Sequence, residues 1–367
     1  MGCRVIRVGV AVLPLFAVPA ICVLAPAQDH RRPPVQYVPP KGYVCYRATM
    51  PVQINGRLDK AVWQAVPWSE PFVDIEGEAK PRPRFRTRAK MLWDDNYFYV
   101  GAELEEPHVW ATLTEHDSVI FNDNDFEVFI DPNGDNHEYY EFEINALNTG
   151  WDLLLPRPYK DGGKAVNSWE IPGLKTAVHV AGTINDPRDT DRGWTVEIAF
   201  PWKVLGELAD RPSPPHDGDQ WRVNFSRVEW QVNVDDGKYR KVPGKREDNW
   251  VWSPQGVIDM HRPETWGYVQ FSTAKIGEAM FHPDRAGPAK HLLHRIYYAE
   301  RDHHAVHGVF SKSLQKLGLE PGSNECLTAP PKIETTESGF EATVETAPEG
   351  KAKERWHIRQ DSKIWRK

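Results

Sequence analysis

Between about residue 43 and residue 272 the chain shows repeated short stretches in which apolar and polar positions alternate. In the clearest stretch, Arg84 to Trp93, every second residue from Phe85 onward is apolar or Thr, and those between are basic as far as Lys90. This period of two predicts a β-strand with one face on a core. Asp94-Asp95-Asn96 supplies turn residues, so the strand predicted over Tyr97 to Leu104 completes a hairpin.

Many further strands are predicted in the same region, and helical periodicity is limited to short pieces near Asp59 to Ala65 and Lys203 to Ala209. The strands are Phe126 to Ile130, Tyr139 to Ala146, Thr176 to Val180, Trp194 to Phe200, Trp221 to Trp230, Trp250 to Ser253 and Trp266 to Phe271. Short strands separated by turn residues predict a mainly β domain, an antiparallel β-sandwich, over residues 43–273.

The pattern changes after Ser272. Apolar residues at helical spacing predict a helix over His291 to Leu317, weakest around His303, His304 and Gly308. Short strands are then predicted at Ile333 to Thr335, Phe340 to Val344, Arg355 to Arg359 and Lys363 to Trp365. The sequence therefore predicts a linker over residues 274–290 and a small α+β tail domain over residues 291–367.

The first 27 residues have the pattern of a signal peptide. Arg4 and Arg7 precede an apolar stretch, and Ala25-Pro26-Ala27 matches the small-x-small cleavage pattern. An uncleaved membrane anchor is the alternative, but Pro14 and Pro19 interrupt a stretch shorter than the ~20 residues a span needs. Cleavage before Gln28 would give an exported protein, periplasmic, cell-surface or extracellular, without a membrane span. Residues 28–42, rich in Pro and basic residues, are predicted to be a linker.

Charge and composition narrow the ligand class. A formal net charge of −7 excludes a nucleic-acid binder, since no basic face is available to contact phosphates. Fifteen Trp residues are more than one core needs, which predicts indole at a surface. Outside the signal peptide the cysteines are Cys45 and Cys326, which form either a disulfide or two separate thiols in an oxidising compartment.

Six segments, in order along the main domain, resemble the family 9 carbohydrate-binding modules, whose sandwich is related to the DOMON-type haem-binding domains. They are Ile54-Asn55-Gly56-Arg57-Leu58-Asp59 with Trp63, Leu92 to Val100, Asp125 to Asp131, Trp194 to Ala199, Trp252-Ser253, and Trp266-Gly267. The resemblance implies an antiparallel sandwich of the DOMON or immunoglobulin-like jelly-roll type.

The resemblance also implies a sugar site in which two aromatic rings and a carboxylate hold the end of a glycan. Trp252 matches one aromatic platform, and Phe121 falls where the family prefers Trp for the other. Glu127 matches the carboxylate, whereas Glu143 falls where the family has a basic contact. This acid cannot donate as a guanidinium does, which leaves the sugar open.

The residues themselves add a pattern around these positions. Glu141, Glu143 and Asn145 share one face of the predicted strand at Tyr139 to Ala146. If that strand pairs with Phe126 to Ile130, Asp125 and Glu127 lie near these acids, and Trp151 follows as a further platform. An acidic, aromatic patch suits a neutral polyol or a calcium-assisted sugar contact and disfavours uronic acids.

Asp131, Asn133 and Asp135 provide alternating oxygen ligands around Gly134. They are candidate ligands for a structural calcium ion, although the loop lacks the spacing and the bidentate Glu of an EF-hand. A plain hairpin loop is the alternative.

Three other chemistries are compatible with single features. Glu127 paired with Glu141 or Glu143 allows a glycosidase, which needs two carboxyl groups at a set separation. The relation to DOMON-type domains suggests haem binding by Met and His side chains as an alternative. The adjacent Met260 and His261 point in opposite directions on an extended segment, so no haem is expected. His303 and His307 share a helix face without the Glu of a metalloprotease helix, which favours a solvated polar face.

The sequence therefore predicts an exported, non-catalytic protein that binds the end of an oligo- or polysaccharide during glycan breakdown. Its expected contacts are Phe121, Glu127, Glu143, Asn145, Trp151 and Trp252. The flanking segments are too short or too plain for a catalytic domain, so any glycoside hydrolase is expected to be a separate partner.

Overall fold

A computed structural model describes residues 32–34, 36–319, 327–347 and 353–367. The predicted signal peptide, residues 1–27, and Cys326 lie outside the described residues. The strands of the main domain are β1 (Gly42–Arg47), β2 (Val73–Asp74), β3 (Thr87–Trp93), β4 (Tyr97–Glu105), β5 (Asp125–Asp131), β6 (Tyr139–Asn145), β7 (Gly150–Leu155), β8 (Lys175–Val180), β9 (Gly193–Pro201), β10 (Gln220–Glu229), β11 (Val232–Asp235), β12 (Lys238–Lys241), β13 (Asp248–Val251) and β14 (Gly267–Ser272).

Two short helices lie among these strands, α1 (Ala61–Gln64) and α2 (Trp202–Leu205). The tail consists of helix α3 (Gly287–His307) and strands β15 (Lys332–Thr335), β16 (Phe340–Thr346), β17 (Glu354–Arg359) and β18 (Ile364–Arg366). None of the helices in this described part is long and apolar enough to cross a bilayer.

Apart from the separate hairpin β11–β12, the strands of the main domain form one large sheet that curls into two packed layers. Its strand order is β7-β6-β5-β10-β14-β1-β3-β4-β9-β8, and β13 pairs with both β10 and β2. β1 pairs in parallel with β14 and β3 and joins the two layers, while the other pairings are antiparallel. The predicted antiparallel sandwich is therefore confirmed.

The core lies between the layers and is formed by the apolar positions of the alternating strands. Phe142 of β6 contacts Phe200 of β9 across the layers, with ring centroids 5.9 Å apart. Cys45 is fully buried there and forms no disulfide within the described residues. Burial of this apolar area drives the folding of the domain.

The outer face of the second layer is also covered, by the segment that contains α1. Glu197 of β9 is fully buried and accepts hydrogen bonds from the backbone N–H groups of Asn55 and Gly56, at 2.8 and 2.7 Å, and from the indole of Trp63 at 2.6 Å. Lys60 completes the set with its ammonium 2.5 Å from the carboxylate. The segment Ile54 to Asp59 with Trp63 and the segment Trp194 to Ala199, which carry part of the family resemblance, therefore contact each other and stabilise the fold.

The tail is a helix on an antiparallel four-stranded sheet, as predicted. β15, β16, β17 and β18 pair in sequence order, and α3 packs on β16 and β17. The helix begins at Gly287 rather than His291 and ends at His307, followed by Gly308, which is left-handed with φ 71°. The predicted continuation to Leu317 is wrong because glycine in this conformation terminates helices.

The segment before β1 packs on the tail rather than extending away as a free linker. The ring of Tyr37 lies 5.5 Å from that of His291, and His291 Nε2 is 2.8 Å from the carbonyl oxygen of Pro34. The short strands β1 and β7 were not predicted, because neither shows a clean alternation.

Candidate functional site

Four carboxyl groups lie together on the outer face of the first layer. β5 and β6 pair antiparallel with Glu127 opposite Glu143, Asp125 opposite Asn145 and Phe129 opposite Glu141. Residues directly opposite each other point to the same side of a sheet. The expectation that Asp125 and Glu127 lie near the acids of the next strand is confirmed. We call Asp125, Glu127, Glu141 and Glu143 the acidic cluster.

The acidic cluster is almost completely withdrawn from solvent. Asp125 is 0% exposed, and Glu127, the most accessible of the four, is 5% exposed. Burial raises the pKa of Glu127 to about 7, because a charged carboxylate loses its hydration. Burial, and then the charge of Glu127, also raise the pKa values of the carboxyl groups of Asp125, Glu141 and Glu143. Because the four carboxyl groups lie close together, the charge on one of them disfavours ionisation of the others.

Backbone donors satisfy only part of this cluster. The N–H of Phe121 donates to Glu143 at 2.9 Å, and the N–H of Val228 donates to Asp125 at 3.1 Å. Asp125 Oδ2 and Glu141 Oε2 are buried without a hydrogen-bond partner. Within the described ranges no Lys, Arg or His side chain forms an ion pair with any of the four. The arrangement has unused acceptor capacity.

Aromatic side chains surround the acidic cluster, and we call Phe121, Trp151, Tyr159 and Trp230 the aromatic rim. Phe121 is 40% exposed, and its ring centroid lies 6.4 Å from that of Trp151. Trp151 belongs to β7 and lies opposite Glu143 of β6. The indole N–H of Trp230 donates to the carbonyl oxygen of Phe121 at 2.9 Å. These contacts fix aromatic surfaces beside buried carboxylates.

Tyr159 enters the rim from the turn after β7. Burial raises the pKa of its hydroxyl, and the charges of Glu141 and Glu143 raise it further. Its ring also packs edge-on against His261, with centroids 4.4 Å apart. Tyr159 therefore lies near Glu141 and Glu143, and it is 37% exposed.

Trp252 is not part of this site, which corrects the expectation that it is an aromatic platform. It is fully buried in the core, with its ring 5.8 Å from Phe225, and its indole N–H donates to Glu70 at 3.2 Å. Phe225 alternates with Ser226, which stands opposite Glu127, so Trp252 lies on the other face of the sheet. A sealed indole has no face on which a sugar can stack.

Asn145 is also unavailable to a ligand. Its side-chain nitrogen donates to Leu113 at 2.9 Å and to Asp123 at 3.0 Å, while its oxygen accepts from the N–H groups of Leu147 and Thr149. An amide side chain has two donor hydrogens and two acceptor positions, and all four are used. The expected sugar contact at Asn145 is wrong because this residue closes the β6–β7 turn.

The contacts of Asp131, Asn133 and Asp135 favour a plain hairpin loop over a calcium site. Asp131 accepts from the N–H groups of Gly134 and Asn136 at 2.8 and 2.9 Å, and Asn133 accepts from the N–H of Asp135 at 3.0 Å. Asp135 also lies 3.1 Å from the ammonium of Lys363. The loop oxygens stabilise their own turn and an ion pair with the tail.

This β5–β6 loop is a docking surface for the tail domain. Asn136 donates to the carbonyl oxygen of Ser362 at 2.8 Å and contacts His294 Nε2 at 2.9 Å. The backbone N–H of Ile364 donates to the carbonyl oxygen of Asp135 at 3.1 Å. The polar loop that resembled a metal loop in sequence connects two domains.

Met260, His261 and the paired histidines of α3 all have structural contacts. His261 is half-buried, with Nδ1 2.9 Å from the hydroxyl of Tyr139, and Met260 packs against the small apolar cluster that contains Tyr139. His303 and His307 do share a helix face, with ring centroids 4.4 Å apart. The groups of three or more metal-binding side chains in the described part of the chain do not include them. A glycosidase role for Glu127 with Glu141 or Glu143 stays a prediction.

A second group of titratable residues lies on the opposite side of β7. His116 Nε2 is 3.3 Å from Asp152, 3.4 Å from Asp117 and 3.3 Å from Glu170. Hydrogen bonding to Glu170 and the three negative charges raise the pKa of His116 despite the opposing effect of burial. Unlike the acidic cluster, this group contains its own cation when His116 is protonated.

Sequence reasoning missed Tyr159 and Trp230. Tyr159 lies in a turn that has no periodic pattern, and Trp230 comes directly after β10, where its indole was counted with the strand. Trp230 is at an even position, as is Ser226, which stands opposite Glu127. That alternation could have predicted the position of Trp230 beside Glu127, whereas Tyr159 could be located at the site only from the tertiary structure.

Comparison with known proteins identifies the main domain. Residues 54–271 match the sequence model of a family described as carbohydrate family 9 binding domain-like. The exoglucanase XynX of Acetivibrio thermocellus is 30% identical over 117 residues, which are 32% of this chain and 9% of that protein. Endo-1,4-beta-xylanase A of Thermotoga maritima is 26% identical over 166 residues, 44% of this chain and 12% of that enzyme. The chain thus covers about a tenth of each relative.

Solved structures with a similar arrangement include a family 9 carbohydrate-binding module from Caldicellulosiruptor kristjanssonii in complex with cellotriose. It matches with a TM-score of 0.42 and 15% identity, covering 66% of this chain and 100% of that one. A putative carbohydrate-binding protein from Bacteroides uniformis matches with a TM-score of 0.45 and 17% identity, covering 64% of this chain and 100% of that one.

Proposed function

We propose, from the premise that this chain belongs to the carbohydrate family 9 binding domain-like family, that it binds a neutral oligosaccharide at the acidic cluster and the aromatic rim. The observation that carries the proposal is the position of exposed aromatic rings beside buried carboxylates with unused acceptor capacity. A pyranose presents an apolar C–H face and a ring of hydroxyl groups, so it needs both kinds of surface.

The residues divide into two roles. Phe121, Trp151 and Tyr159 offer ring surface for stacking, and Trp230 supports Phe121 from behind. Glu127 and Glu143 accept hydrogen bonds from sugar hydroxyls, because hydroxyl donors relieve buried carboxylates that lack partners. A uronic acid would bring a further negative charge to the acidic cluster, so neutral sugars are favoured.

The relatives suggest which neutral sugars to test. They are named as an exoglucanase and as xylanases, and one structure of similar arrangement holds cellotriose. Gluco- and xylo-oligosaccharides bound near a chain end are therefore the first candidates. We further propose that the chain is exported after cleavage before Gln28 and acts beside a separate glycoside hydrolase.

Calorimetric titration with cello- and xylo-oligosaccharides tests the site. Phe121→Ala and Trp151→Ala are expected to weaken binding by about fivefold or more each, since stacking on an aromatic ring contributes on the order of 1 to 3 kcal/mol. Trp365→Ala, which removes an indole from the tail sheet, is the matched control and leaves affinity unchanged. Wild-type binding that neither rim variant affects would contradict the placement of the site.

Export is tested separately by expressing the full chain and sequencing the N-terminus of the protein recovered outside the cytoplasm. A mature protein that begins at Gln28 supports export with cleavage. Full-length protein retained in the membrane fraction supports an uncleaved anchor.

A further inference from the structure

Sugar hydroxyl groups alone do not compensate the negative charge of the buried carboxylates in the acidic cluster. It places four carboxyl groups on adjacent strands, and none of them is more than 5% exposed. Moving an isolated carboxylate out of water costs several kcal/mol unless an opposite charge or several donors compensate it. Hydrogen bonds from the N–H groups of Phe121 and Val228 reach the cluster, yet Asp125 Oδ2 and Glu141 Oε2 remain buried without a partner.

The oxygen atoms converge as metal ligands do. One carboxylate oxygen from each of Asp125, Glu127 and Glu143 lies within 4.8 Å of the other two. Two oxygen atoms on opposite sides of a calcium ion are about 5 Å apart, because each bond is about 2.3 to 2.6 Å long. Separations below this limit are compatible with three oxygens around one ion.

Glu141 provides a second, independent observation. Its carboxyl group reaches that of Glu143, and its Oε2 atom is buried without any partner. Asp125 Oδ2 is unpartnered in the same way. Native proteins rarely leave buried polar atoms unsatisfied unless an ion, water or ligand completes them.

We propose that Asp125, Glu127 and Glu143, supported by Glu141, bind a single divalent cation beneath the aromatic rim. Only hard oxygen ligands converge there, which selects calcium or a similar ion over metals that prefer nitrogen or sulfur. Calcium is favoured over magnesium, since it tolerates irregular geometry and longer bonds.

The cation also gives the sugar site a way to hold hydroxyl groups. Three protein oxygens fill only part of the six to eight positions around calcium, and vicinal sugar hydroxyls are suitable neutral ligands for the rest. Sugar binding would then depend on the cation. This second step rests on the proposed function, whereas the cation site itself does not.

Calorimetric titration of the full chain with calcium chloride, after dialysis against EDTA, tests the cation site. Wild type is expected to bind one equivalent, and saturating calcium is expected to raise the melting temperature, because an ion that binds only the folded state stabilises it. Glu143→Gln keeps the shape and an acceptor for Phe121 N–H but removes charge, so calcium affinity falls at least about tenfold. Asp125→Asn is expected to act in the same direction.

Asp117→Asn is the matched control, since it removes an acid from the group around His116 on the other face of β7. It is expected to leave calcium binding intact. The proposal is overturned if wild type binds no calcium, or if binding survives Glu143→Gln and is lost in Asp117→Asn. Should both cluster variants fail to fold, the melting temperature of wild type with and without calcium still decides whether an ion is bound.

Repeating the sugar titrations in calcium and in EDTA separates the two proposals. Calcium binding without binding of any sugar retains the cation site and contradicts the proposed function. Sugar binding of equal strength in calcium and in EDTA retains the proposed function and removes the role of the ion in it. Loss of sugar affinity in EDTA and in Glu143→Gln, but not in Asp117→Asn, supports both.

Discussion

At the scale of single residues, the burial of a side chain decides whether it serves the fold or a ligand. Trp252 and Trp151 were both expected to be aromatic platforms of the sugar site, yet Trp252 is buried in the core and Trp151 borders the acidic cluster. Glu197 and Glu127 are both buried acids in β-strands. Glu197 is saturated by three N–H donors and Lys60, whereas Glu127 lacks an ion-pair partner among the described residues.

Replacing Trp252 tests its assignment to the core. Trp252→Ala is expected to lower the free energy of unfolding by about 3 to 5 kcal/mol, because it leaves a large cavity. Trp252→Phe loses less and is the variant for ligand work. Chemical denaturation measures the stability, and sugar titration of Trp252→Phe is expected to match wild type. A loss of sugar affinity in Trp252→Phe at unchanged stability would contradict the assignment of Trp252 to the core and indicate that its indole contacts the sugar.

Gly56 is a second residue with a calculable role. It has φ +80°, and a Cβ there would lie 2.5 Å from the carbonyl carbon of Val178. Gly56→Ala therefore combines unfavourable backbone conformation with overpacking, and each contributes on the order of 1 to 3 kcal/mol. Gly218→Ala has a similar φ, +85°, with no atom within 4 Å of the added Cβ, and isolates the conformational part. Equal destabilisation of the two variants, measured by urea unfolding, would contradict the close packing.

At the scale of elements, the β5–β6 loop and helix α3 depend on each other through a neutral histidine. His294 Nδ1 is 2.9 Å from the carbonyl oxygen of Lys290, and Nε2 contacts the side-chain nitrogen of Asn136 at 2.9 Å. The first contact needs a proton on Nδ1, and the second needs a lone pair on Nε2. Protonation of the ring would break the contact between the helix and the loop.

The pH dependence of this contact follows from the pKa of His294. Burial lowers it to about 4; the charge of Glu264 opposes this, and the positive charges of Arg222 and Lys160 add to it. The stabilisation is therefore complete above pH ~6.5 and is lost as pH falls toward 4, by about 2 kcal/mol between pH 7 and pH 5.

His294→Gln is expected to remove this part of the pH dependence, because a glutamine keeps an acceptor that does not titrate. Thermal unfolding of both proteins from pH 7 to pH 5 provides the measurement. The difference between the two curves is the relevant quantity, since the raised pKa values in the acidic cluster contribute stability with the opposite pH dependence. Parallel curves would mean that His294 is not the titrating group.

At the scale of the whole molecule, the tail domain supports the turn that carries Tyr159. Asp161, two residues later, is buried and accepts from the hydroxyl groups of Tyr297 and Ser362, the latter at 2.7 Å. Arg301 lies 2.8 Å from the same carboxylate. The tail thus holds one end of the aromatic rim in place and is part of the structural support of the site.

Asp161→Asn tests this coupling between domains. Removing the charge leaves Arg301 without its buried partner, and we expect a loss of about 3 kcal/mol in stability together with weaker hydrogen-exchange protection of α3 and residues 159–161. Asp302→Asn, which removes an exposed acid of the same helix paired with Arg32, is the control with little effect. If protection near residue 159 is unchanged in Asp161→Asn, the tail does not support the rim.

The sequence by itself determined the elements and the class of fold. Alternation of apolar and polar residues located nine of the fourteen strands of the main domain and all four strands of the tail sheet, but not β1, β2, β7, β11 and β12. This period directly reflects which face of a strand is buried. It also predicted that Asp125 and Glu127 lie near Glu141 and Glu143, because the pairing of β5 with β6 across a short loop is a local event; the register that sets Glu127 opposite Glu143 came from the structure. The helix end at Gly308 was missed although glycine marks it.

Only the tertiary structure decided which faces of the strands are open to a ligand. Alternation separates two sets of residues but does not say which set the second layer covers, so it could not correct the assignment of Trp252 to the site, which came from the family resemblance. Asn145 was misjudged for a related reason: its hydrogen-bond partners come from another segment and from a turn whose geometry forms on folding. For the loop of Asp131, Asn133 and Asp135 the sequence left a calcium site and a plain hairpin open, and the contacts within the folded turn favour the hairpin. Tyr159 is held beside the acidic cluster by contacts distant in sequence, such as that of its ring with His261, and such contacts leave no local pattern.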